Sequence, residues 1–151
     1  MEVREGGLGL AQVEALLAHH RTEAHASTPA RNAHALDSAG LAAPDIAVFT
    51  AWDGDALLGV AALRMLEPGH AEIKSMRTHP DHLRRGVAGA LLDHLLAAAR
   101  ARGVARLSLE TGTHPMFDAA NILYERAGFT DRDAFGGYPP SAHNRFMTRT
   151  V

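Results

Sequence analysis

A basic, glycine-containing segment lies where a helix is predicted to begin, and its residues are suited to binding a pyrophosphate. The segment consists of Leu83, Arg84, Arg85, Gly86, Val87, Ala88 and Gly89. The first turn of a helix presents backbone N–H groups without partners at the positive end of the helix dipole. Glycine lets a ligand approach the backbone, and the two arginines add positive charge beside it. The alternative is an ordinary loop with solvated arginines, which is favoured for a short glycine motif taken alone.

Histidine is the other abundant residue type that could do chemistry, by binding a metal. The densest groups among the ten histidines are His19, His20, His25 and His34, and the pair His79 and His82. None of them follows the His-Glu-x-x-His pattern of a helical zinc site, and none has an evident carboxylate partner. We therefore predict no metal site.

The composition argues against several classes of function. The chain has 151 residues, of which 46% are hydrophobic, so one domain spanning residues 1–151 is expected. It has no cysteine, which excludes disulfides, thiolate zinc sites and a cysteinyl acyl intermediate. A net charge of −2 makes nucleic acid and anionic membranes poor partners. No stretch has the length needed to span a bilayer, so a cytoplasmic protein is expected.

Hydrophobic periodicity predicts the elements in the first half of the chain. Leu10 to His20 predicts an amphipathic helix, followed by a loop over Ala24 to Pro44. Two apolar runs, Ile46 to Trp52 and Ala56 to Met65, flank an Asp-Gly turn and predict an antiparallel hairpin. Ala71 to Thr78 predicts a third strand, which completes a meander.

The second half alternates helix and strand. After Gly86, apolar residues repeat at helical spacing up to Ala99, and Val104 to Thr111 alternates as a strand. The order strand, helix, strand predicts a parallel pair. Ala119 to Ala127 predicts another helix, with Ala119, Ile122, Leu123 and Arg126 at helical spacing, and Phe146 to Val151 predicts a last strand. The fold class is therefore α/β, with a mixed sheet covered by helices.

Two separate motifs resemble the GNAT acetyltransferase family. The run Glu72 to Pro80 is followed by the basic segment, a helix and Leu123-Tyr124-Glu125-Arg126-Ala127-Gly128-Phe129, in the family's order and spacing. The family's loop pattern, Gln/Arg-x-x-Gly-x-Gly/Ala, falls on Leu83 to Ala88, with Leu83 in place of the usual first residue. Family members often have Asn seven residues before the signature tyrosine, where this chain has Phe117; Asn121 lies nearer to that tyrosine.

The resemblance implies a GNAT fold with acetyl-CoA as co-substrate and no metal. In this fold a mostly antiparallel sheet has helices on both faces, and its parallel pair is splayed around the acetyl-CoA site. The backbone of Met76, Arg77 and Thr78 would pair with the pantetheine arm, although plain sheet pairing is the alternative. Asn121 and Tyr124 would complete the cofactor site. Tyr124 would also donate a proton to the departing thiolate, unless it only completes the core.

An amine acceptor needs a base, because an amine with a pKa of about 10 is protonated at neutral pH. Glu72 and Glu110 are the candidates, since both lie on predicted central strands. Glu72 is preferred because it shares a face with Lys74, Met76 and Thr78 in a regular strand. A water chain, or an ordinary surface or ion-paired glutamate, is the alternative.

The resemblance implies an N-acetyltransferase that acts on a primary amine of a small molecule or amino acid by direct attack in a ternary complex. Asp45-Ile46, Phe135-Gly136-Gly137-Tyr138 and Phe146-Met147 are similar to a bacterial branch that acts on small molecules. The alternatives are a catalytically silent acyl-CoA-binding module and a protein lysine or N-terminal acetyltransferase. His25, Ser27 and His34 are candidates for the acceptor pocket. Phe135, Tyr138 and Phe146 would pair two subunits in a homodimer, or complete the core or that pocket.

Overall fold

A computed structural model describes residues 1–27 and 36–151. The strands are β1 (Glu2–Glu5), β2 (Ile46–Asp53), β3 (Ala56–Glu67), β4 (His70–Thr78), β5 (Arg106–Gly112), β6 (Thr130–Asp131) and β7 (Asn144–Thr150). The helices are α1 (Ala11–Ser27), α2 (Ser38–Leu41), α3 (Val87–Ala101) and α4 (Asp118–Arg126). Short 3-10 turns at Pro80–His82 and Pro115–Phe117 precede α3 and α4. In the described part of the chain, no helix is long and apolar enough to cross a membrane.

All seven strands form one mixed sheet in the order β1-β2-β3-β4-β5-β7-β6. Strands β4 and β5 pair in parallel, and every other pair of neighbouring strands is antiparallel. The predicted meander of β2, β3 and β4 is therefore confirmed, and so is the parallel pair. Helix α3 makes the crossover between the two parallel strands, as the order of elements predicted.

Helices cover both faces of the sheet, each over its own hydrophobic core. On one face, α3 and α4 pack on a core that includes Leu91, Leu107 and Tyr124. On the other face, α1 and α2 pack on a smaller core that includes Leu17 and Val60. Gly59 in β3 permits the close approach of α3, because a Cβ there would lie 2.9 Å from the Val87 side chain.

Strand β4 contains an irregularity at Ser75 that changes which side chains share a face. Ser75 has a φ of 55°, and the pairing with β3 shifts register there, as in a β-bulge. Before the bulge, Glu72 and Lys74 lie on one face; after it, Met76 packs against the core under α3 and α4. The prediction that Glu72, Lys74, Met76 and Thr78 share one face is therefore wrong, because it assumed a regular strand.

Three other predictions about elements need correction. Helix α1 continues to Ser27, so the predicted loop starting at Ala24 begins later, and it also contains the short helix α2. Leu10 precedes α1 and is exposed. Strand β1 was not predicted: its four residues pair with β2, and three of them are charged. In α4 the buried residues are Asn121 and Tyr124, whereas Ile122 is exposed.

Candidate active site

The two parallel strands separate towards their carboxyl ends. Their pairing runs from His70 opposite Arg106 to Ile73 opposite Leu109 and ends there within the described residues. A cleft of about 130 Å³ opens at this point. Its walls come from the ends of β4 and β5, from α1, from α4 and from the start of β7. Because the strand ends do not bond each other, their backbone groups can meet a ligand between them.

Tyr124 of α4 lies in the wall of this cleft. The residue is 6% exposed, and its hydroxyl donates a hydrogen bond to Met76 Sδ at 3.7 Å. The Phe129 ring packs against its edge, with 5.9 Å between the ring centroids. Burial raises the pKa of Tyr124 to about 12. The phenol is therefore protonated at neutral pH and offers its proton beside a sulfur atom.

Glu72, Lys74 and Tyr138 form a connected polar cluster beside the cleft. Glu72 is 1% exposed; its Oε1 accepts a hydrogen bond from Tyr138 Oη at 3.1 Å, and its Oε2 lies 3.6 Å from Lys74 Nζ. Lys74 Nζ also hydrogen-bonds to Tyr138 Oη. Burial raises the pKa of Glu72, although Lys74 opposes the shift. The candidate base Glu72 is thus already paired on both oxygens.

Glu110 reaches the same cleft from β5. It is only half-buried, and its Oε2 accepts a hydrogen bond from Asn144 Nδ2 at 2.9 Å. Asn144 Nδ2 also donates to Pro139 O at 3.0 Å, which ties Glu110 to the segment that carries Tyr138. The structure therefore brings the two carboxylates predicted as bases into one cleft with Tyr124.

His20 closes the cleft on the α1 side as a neutral imidazole. Its Nδ1 accepts a hydrogen bond from Arg77 Nε at 3.0 Å, so the ring proton lies on Nε2. Burial, and then the neighbouring Arg77 charge, lower the pKa of His20 to about 3. Arg77, predicted at the pantetheine strand, thus uses its side chain to hold α1 over β4.

Asn121 holds the end of β5 in place. Its Oδ1 accepts a hydrogen bond from Thr111 Oγ1 at 2.8 Å, and its Nδ2 donates to Gly112 O at 3.1 Å. Phe117 packs directly on Gly112, where a Cβ would lie 2.2 Å from the ring. The amide of Asn121 therefore contacts strand β5, and its predicted contact with the cofactor stays a prediction.

The basic segment leads into the first turn of α3 as predicted. Gly86 is the N-cap with a φ of 78°, and among the described residues no side chain bonds to the free N–H groups of the first turn. A Cβ at Gly86 or Gly89 would contact nothing within 4 Å, so the approach to the backbone is open. This geometry fits a pyrophosphate on the backbone amides of Val87, Ala88 and Gly89.

The arginines of this segment are at the surface. Arg85 Nη2 lies 3.5 Å from Asp53 Oδ2 in the β2–β3 turn, and Arg85 Nη1 lies 2.7 Å from His82 Nδ1. Arg84 is exposed and has a φ of 60°, while Leu83 is 59% exposed. Both guanidinium groups are therefore able to move towards an anion at the start of α3.

Among the described residues, the backbone of Met76 to Thr78 has one edge without a strand partner. Arg77 and Thr78 pair with Val60 and Gly59 of β3, whereas their other edge lies beyond the last β4–β5 pair. An extended arm of a ligand can add to this edge as a strand would. The position fits the pantetheine contact predicted for Met76, Arg77 and Thr78.

The remaining predicted residues lie elsewhere or outside the described structure. His25 is exposed on α1, whereas His34 and the side chain of Ser27 lie outside the described residues. Phe135 and Phe146 are buried, and the Phe135 ring contacts those of Tyr138 and Phe146 edge-on. Within residues 1–27 and 36–151, no three metal-binding side chains come together.

Comparison with known proteins supplies the family. The model of the acetyltransferase (GNAT) family matches residues 6–129. The chain is a member of the GNAT acetyltransferase family. Its signature tyrosine and its basic segment both lie within the matched region.

Similar proteins from bacteria carry names of this class. The chain is 42% identical over 139 residues to the uncharacterized N-acetyltransferase YedL of Escherichia coli K12, covering 92% of this chain and 87% of that protein. It is 40% identical over 151 residues to the uncharacterized N-acetyltransferase YsnE of Bacillus subtilis 168, covering both chains fully. It is 35% identical over 125 residues to the IAA acetyltransferase of Azospirillum brasilense, covering 82% of this chain and 80% of that protein. This GNAT protein is therefore an N-acetyltransferase by family.

Solved structures agree with this fold. A candidate acyl-CoA N-acyltransferase of Klebsiella pneumoniae superposes with a TM-score of 0.81 at 29% identity, covering 99% of this chain and 96% of that one. A Bacillus subtilis acetyltransferase in complex with CoA superposes with a TM-score of 0.73 at 17% identity, covering 99% of this chain and 98% of that one. The predicted GNAT fold is thus confirmed, including the helices on both faces of the sheet.

Several residues in or beside the GNAT cleft were not among the predicted catalytic and cofactor-binding residues. Among them, Lys74 and Asn144 line the cleft, and Tyr138 bonds to Glu72 beside it. Lys74 carried a signal in the sequence, because it is the only lysine in the chain. Tyr138 was named only as an alternative for the acceptor pocket, the core or a dimer contact, and Asn144 carried no signal, since the contacts of both depend on how the segment before β7 folds over the sheet.

Proposed function

We propose that this GNAT enzyme transfers the acetyl group of acetyl-CoA to a primary amine of a small molecule or amino acid. The observation that carries the proposal is the cleft itself. The buried, protonated phenol of Tyr124 lines the same cleft as two carboxylates, at the point where β4 and β5 separate. A thioester held there has an acid for its leaving thiolate and a base for the attacking amine within one cleft.

Acetyl-CoA would be held by the start of α3 and by the open edge of β4. The free amides of Val87, Ala88 and Gly89 would bind its pyrophosphate, with Arg84 and Arg85 beside it. The thioester is an activated acyl donor, so no covalent acyl-enzyme is needed. The solved Bacillus subtilis relative binds CoA, which supports this assignment at the level of fold.

Tyr124 acts as the general acid in this proposal. Its proton is available at neutral pH because its pKa is about 12. A thiol has an ordinary pKa near 8.5, below the pKa of about 12 of Tyr124, so complete proton transfer from the phenol to a free thiolate is uphill. Tyr124 therefore hydrogen-bonds to the departing sulfur and stabilises its developing charge, and a proton from the acceptor nitrogen replaces any proton that it passes to sulfur.

Glu110 is the better placed of the two candidate bases. It is half-buried and lines the cleft, so it can contact an acceptor ammonium directly. Glu72 is 1% exposed and is covered by Lys74 and Tyr138. We propose that Glu110 accepts the proton and that Glu72 positions Lys74 and Tyr138.

Walls from several elements around the cleft support a small acceptor over a protein chain. Helix α1 contributes His20, and the chain entering β7 contributes His143 and Asn144. The relatives include an IAA acetyltransferase and, over half of this chain, a ribosomal protein bS18-alanine N-acetyltransferase. Both acceptor classes therefore belong in the test.

The experiment is release of CoA from acetyl-CoA against amines, amino acids and peptide N-termini, together with a thermal-shift titration. We expect acetyl-CoA to raise the melting temperature, since binding to the folded state stabilises it. We expect turnover with a small amine above the acceptor-free rate. Stabilisation without turnover on any acceptor favours a silent acyl-CoA-binding module, and turnover on peptides alone favours a protein acetyltransferase. No stabilisation at all contradicts the proposal.

A further inference from the structure

The only lysine of the chain is buried at the candidate active site. The sequence has fourteen arginines and one lysine, Lys74, which is 8% exposed. Arginine keeps its charge at all accessible pH values, whereas lysine has a neutral form that is a nucleophile. The chain thus supplies its surface cations as arginine and has its single primary-amine side chain inside the cleft.

The surroundings of Lys74 favour loss of its proton. Its Nζ lies 3.6 Å from Glu72 Oε2, hydrogen-bonds to Tyr138 Oη and lies 4.9 Å from the centre of the Tyr138 ring. Burial lowers the pKa of Lys74, with Glu72 acting against the shift, and burial raises the pKa of Glu72. A proton acceptor is therefore in place beside the amine.

Lys74 also lies near the reacting end of the cleft. It is two residues before Met76, whose sulfur accepts the hydrogen bond of Tyr124. Both Lys74 and Tyr124 line the cleft that opens between the separated strands. The amine and the acid therefore both border the cleft, although Lys74 and Met76 lie on different faces of β4.

We propose that Lys74 is itself an acetylation site: in the absence of an amine acceptor, its Nζ takes the acetyl group of acetyl-CoA. This inference rests on the proposed function, because the same bound thioester supplies the acetyl group. It adds a covalent self-modification to the transfer reaction.

The step balances as an ordinary aminolysis of a thioester. Glu72 takes one proton from the Lys74 ammonium, and the freed lone pair forms a C–N bond with the carbonyl carbon. The C–S bond then breaks, its electron pair leaves on sulfur, and Tyr124 protonates the thiolate. The second proton lost from nitrogen restores Tyr124, and Glu72 releases its proton to water. The products are Nε-acetyl-Lys74, CoA and one proton.

Acetylation removes the positive charge of Lys74 from this cluster and fills part of the cleft. Glu72 then loses its ion pair with Lys74, and the ammonium that donates to Tyr138 becomes a neutral amide. Acetylated protein should therefore turn over external amines more slowly than unmodified protein. The modification makes the enzyme sensitive to acetyl-CoA that accumulates without acceptor.

The test is a time course with acetyl-CoA and no acceptor, followed by intact mass and peptide mapping. Lys74 carries the only side-chain primary amine of the sequence, so the α-amino group of a protein prepared with Met1 as its first residue serves as an internal reference for uncatalysed acetylation. We expect Lys74 to be acetylated at least about tenfold faster than Met1, although it is buried. We expect Tyr124→Phe to slow the acetylation of Lys74 and to leave the rate of acetylation at Met1 unchanged.

A parallel thermal-shift titration with acetyl-CoA separates the inference from the proposed function. Stabilisation by acetyl-CoA with no acetyl group on Lys74 overturns the inference and leaves the transferase standing. Equal rates of Lys74 acetylation in wild type and Tyr124→Phe indicate uncatalysed acetylation and also overturn the inference. If acetyl-CoA neither stabilises the protein nor labels Lys74, both the inference and the proposed function are overturned. Lys74→Arg serves as the blank for peptide assignment, and the wild-type measurement does not depend on it.

Discussion

Glu72 and Glu110 enter the cleft from adjacent strands in unlike surroundings. Glu72 is fully covered and paired with Tyr138 and Lys74, whereas Glu110 is half-buried beside Asn144. A base must come within hydrogen-bond reach of the proton that it removes, directly or through one water. At the scale of single residues, exposure therefore favours Glu110, whereas the sequence analysis preferred Glu72.

We predict that Glu110→Gln lowers kcat/KM by about 100-fold or more, the usual contribution of a positioned base. Glu72→Gln should lower kcat/KM by about tenfold, because Glu72 acts through Tyr138 and Lys74. The measurement is the pH dependence of kcat/KM for both variants and wild type. A larger loss in Glu72→Gln would place the base at Glu72.

His20 predicts a pH-dependent contribution to stability. Its pKa is about 3 in the folded protein and about 6.5 in the unfolded chain, so the unfolded state binds more protons between these values. The stabilisation is complete above pH 6.5 and decreases as the pH falls towards 3. Between pH 7 and 5 we expect wild type to lose about 1–2 kcal/mol more than His20→Gln in urea unfolding. Equal losses in both proteins would contradict the neutral, buried imidazole.

At this scale the sequence predicted the chemistry of some positions and missed that of others. Tyr124, Glu72 and Glu110 were assigned to one site by motif and strand position, and they do line one cleft. The cluster of Lys74 with Tyr138 joins residues that lie far apart in the chain. Such contacts depend on the path of the segment before β7, which has no periodicity to read.

Among the elements, the start of α3 is where the pyrophosphate of acetyl-CoA is predicted to bind. Arg85 pairs loosely with Asp53, with both side chains largely in solvent, so an anion at the helix start can displace Asp53. We predict that Arg85→Glu weakens acetyl-CoA binding about tenfold, equivalent to about 1.4 kcal/mol, in calorimetry at low salt. Arg106→Glu is the matched control, because Arg106 lies at the start of β5 and the cleft opens at the other end of that strand. This variant should bind acetyl-CoA as wild type does. Equal weakening in both variants would indicate a general charge effect.

The end of β5 predicts a steric effect at Gly112. An added Cβ would lie 2.2 Å from the Phe117 ring, so the 3-10 turn before α4 must shift. We expect Gly112→Ala to lower the free energy of unfolding by about 1–3 kcal/mol in urea denaturation. Gly89→Ala is the control for stability, because its Cβ enters open space in α3, and it should be neutral or stabilising. Full stability of Gly112→Ala would contradict the close packing.

Strand β4 shows why elements can be predicted while their faces cannot. Its limits were predicted almost to the residue, yet Ser75 adopts a left-handed φ and shifts the register. Serine gives no signal for such a backbone conformation, unlike glycine. Met76 consequently faces Tyr124, whereas Glu72 and Lys74 face the segment before β7. The bulge therefore divides the reacting groups between the two faces of β4.

For the whole molecule, local patterns were sufficient to predict the order of the central elements and the parallel pair. The helix–strand alternation around α3 determined the crossover, and the Asp-Gly turn determined the hairpin. The outer strands β1 and β6 were missed because they are short and mostly polar. They form by pairing with neighbours already in the sheet, which is a property of the assembled fold.

The proposed reaction depends on one group, the phenol of Tyr124, acting on the sulfur of acetyl-CoA. The most direct measurement is kcat and the acetyl-CoA KM of Tyr124→Phe with an acceptor that wild type uses, beside Tyr138→Phe as a control in the same cleft region. We predict that Tyr124→Phe lowers kcat by about 100-fold or more while its KM for acetyl-CoA changes little. We expect Tyr138→Phe to retain more activity. An unchanged kcat in Tyr124→Phe would contradict the central claim.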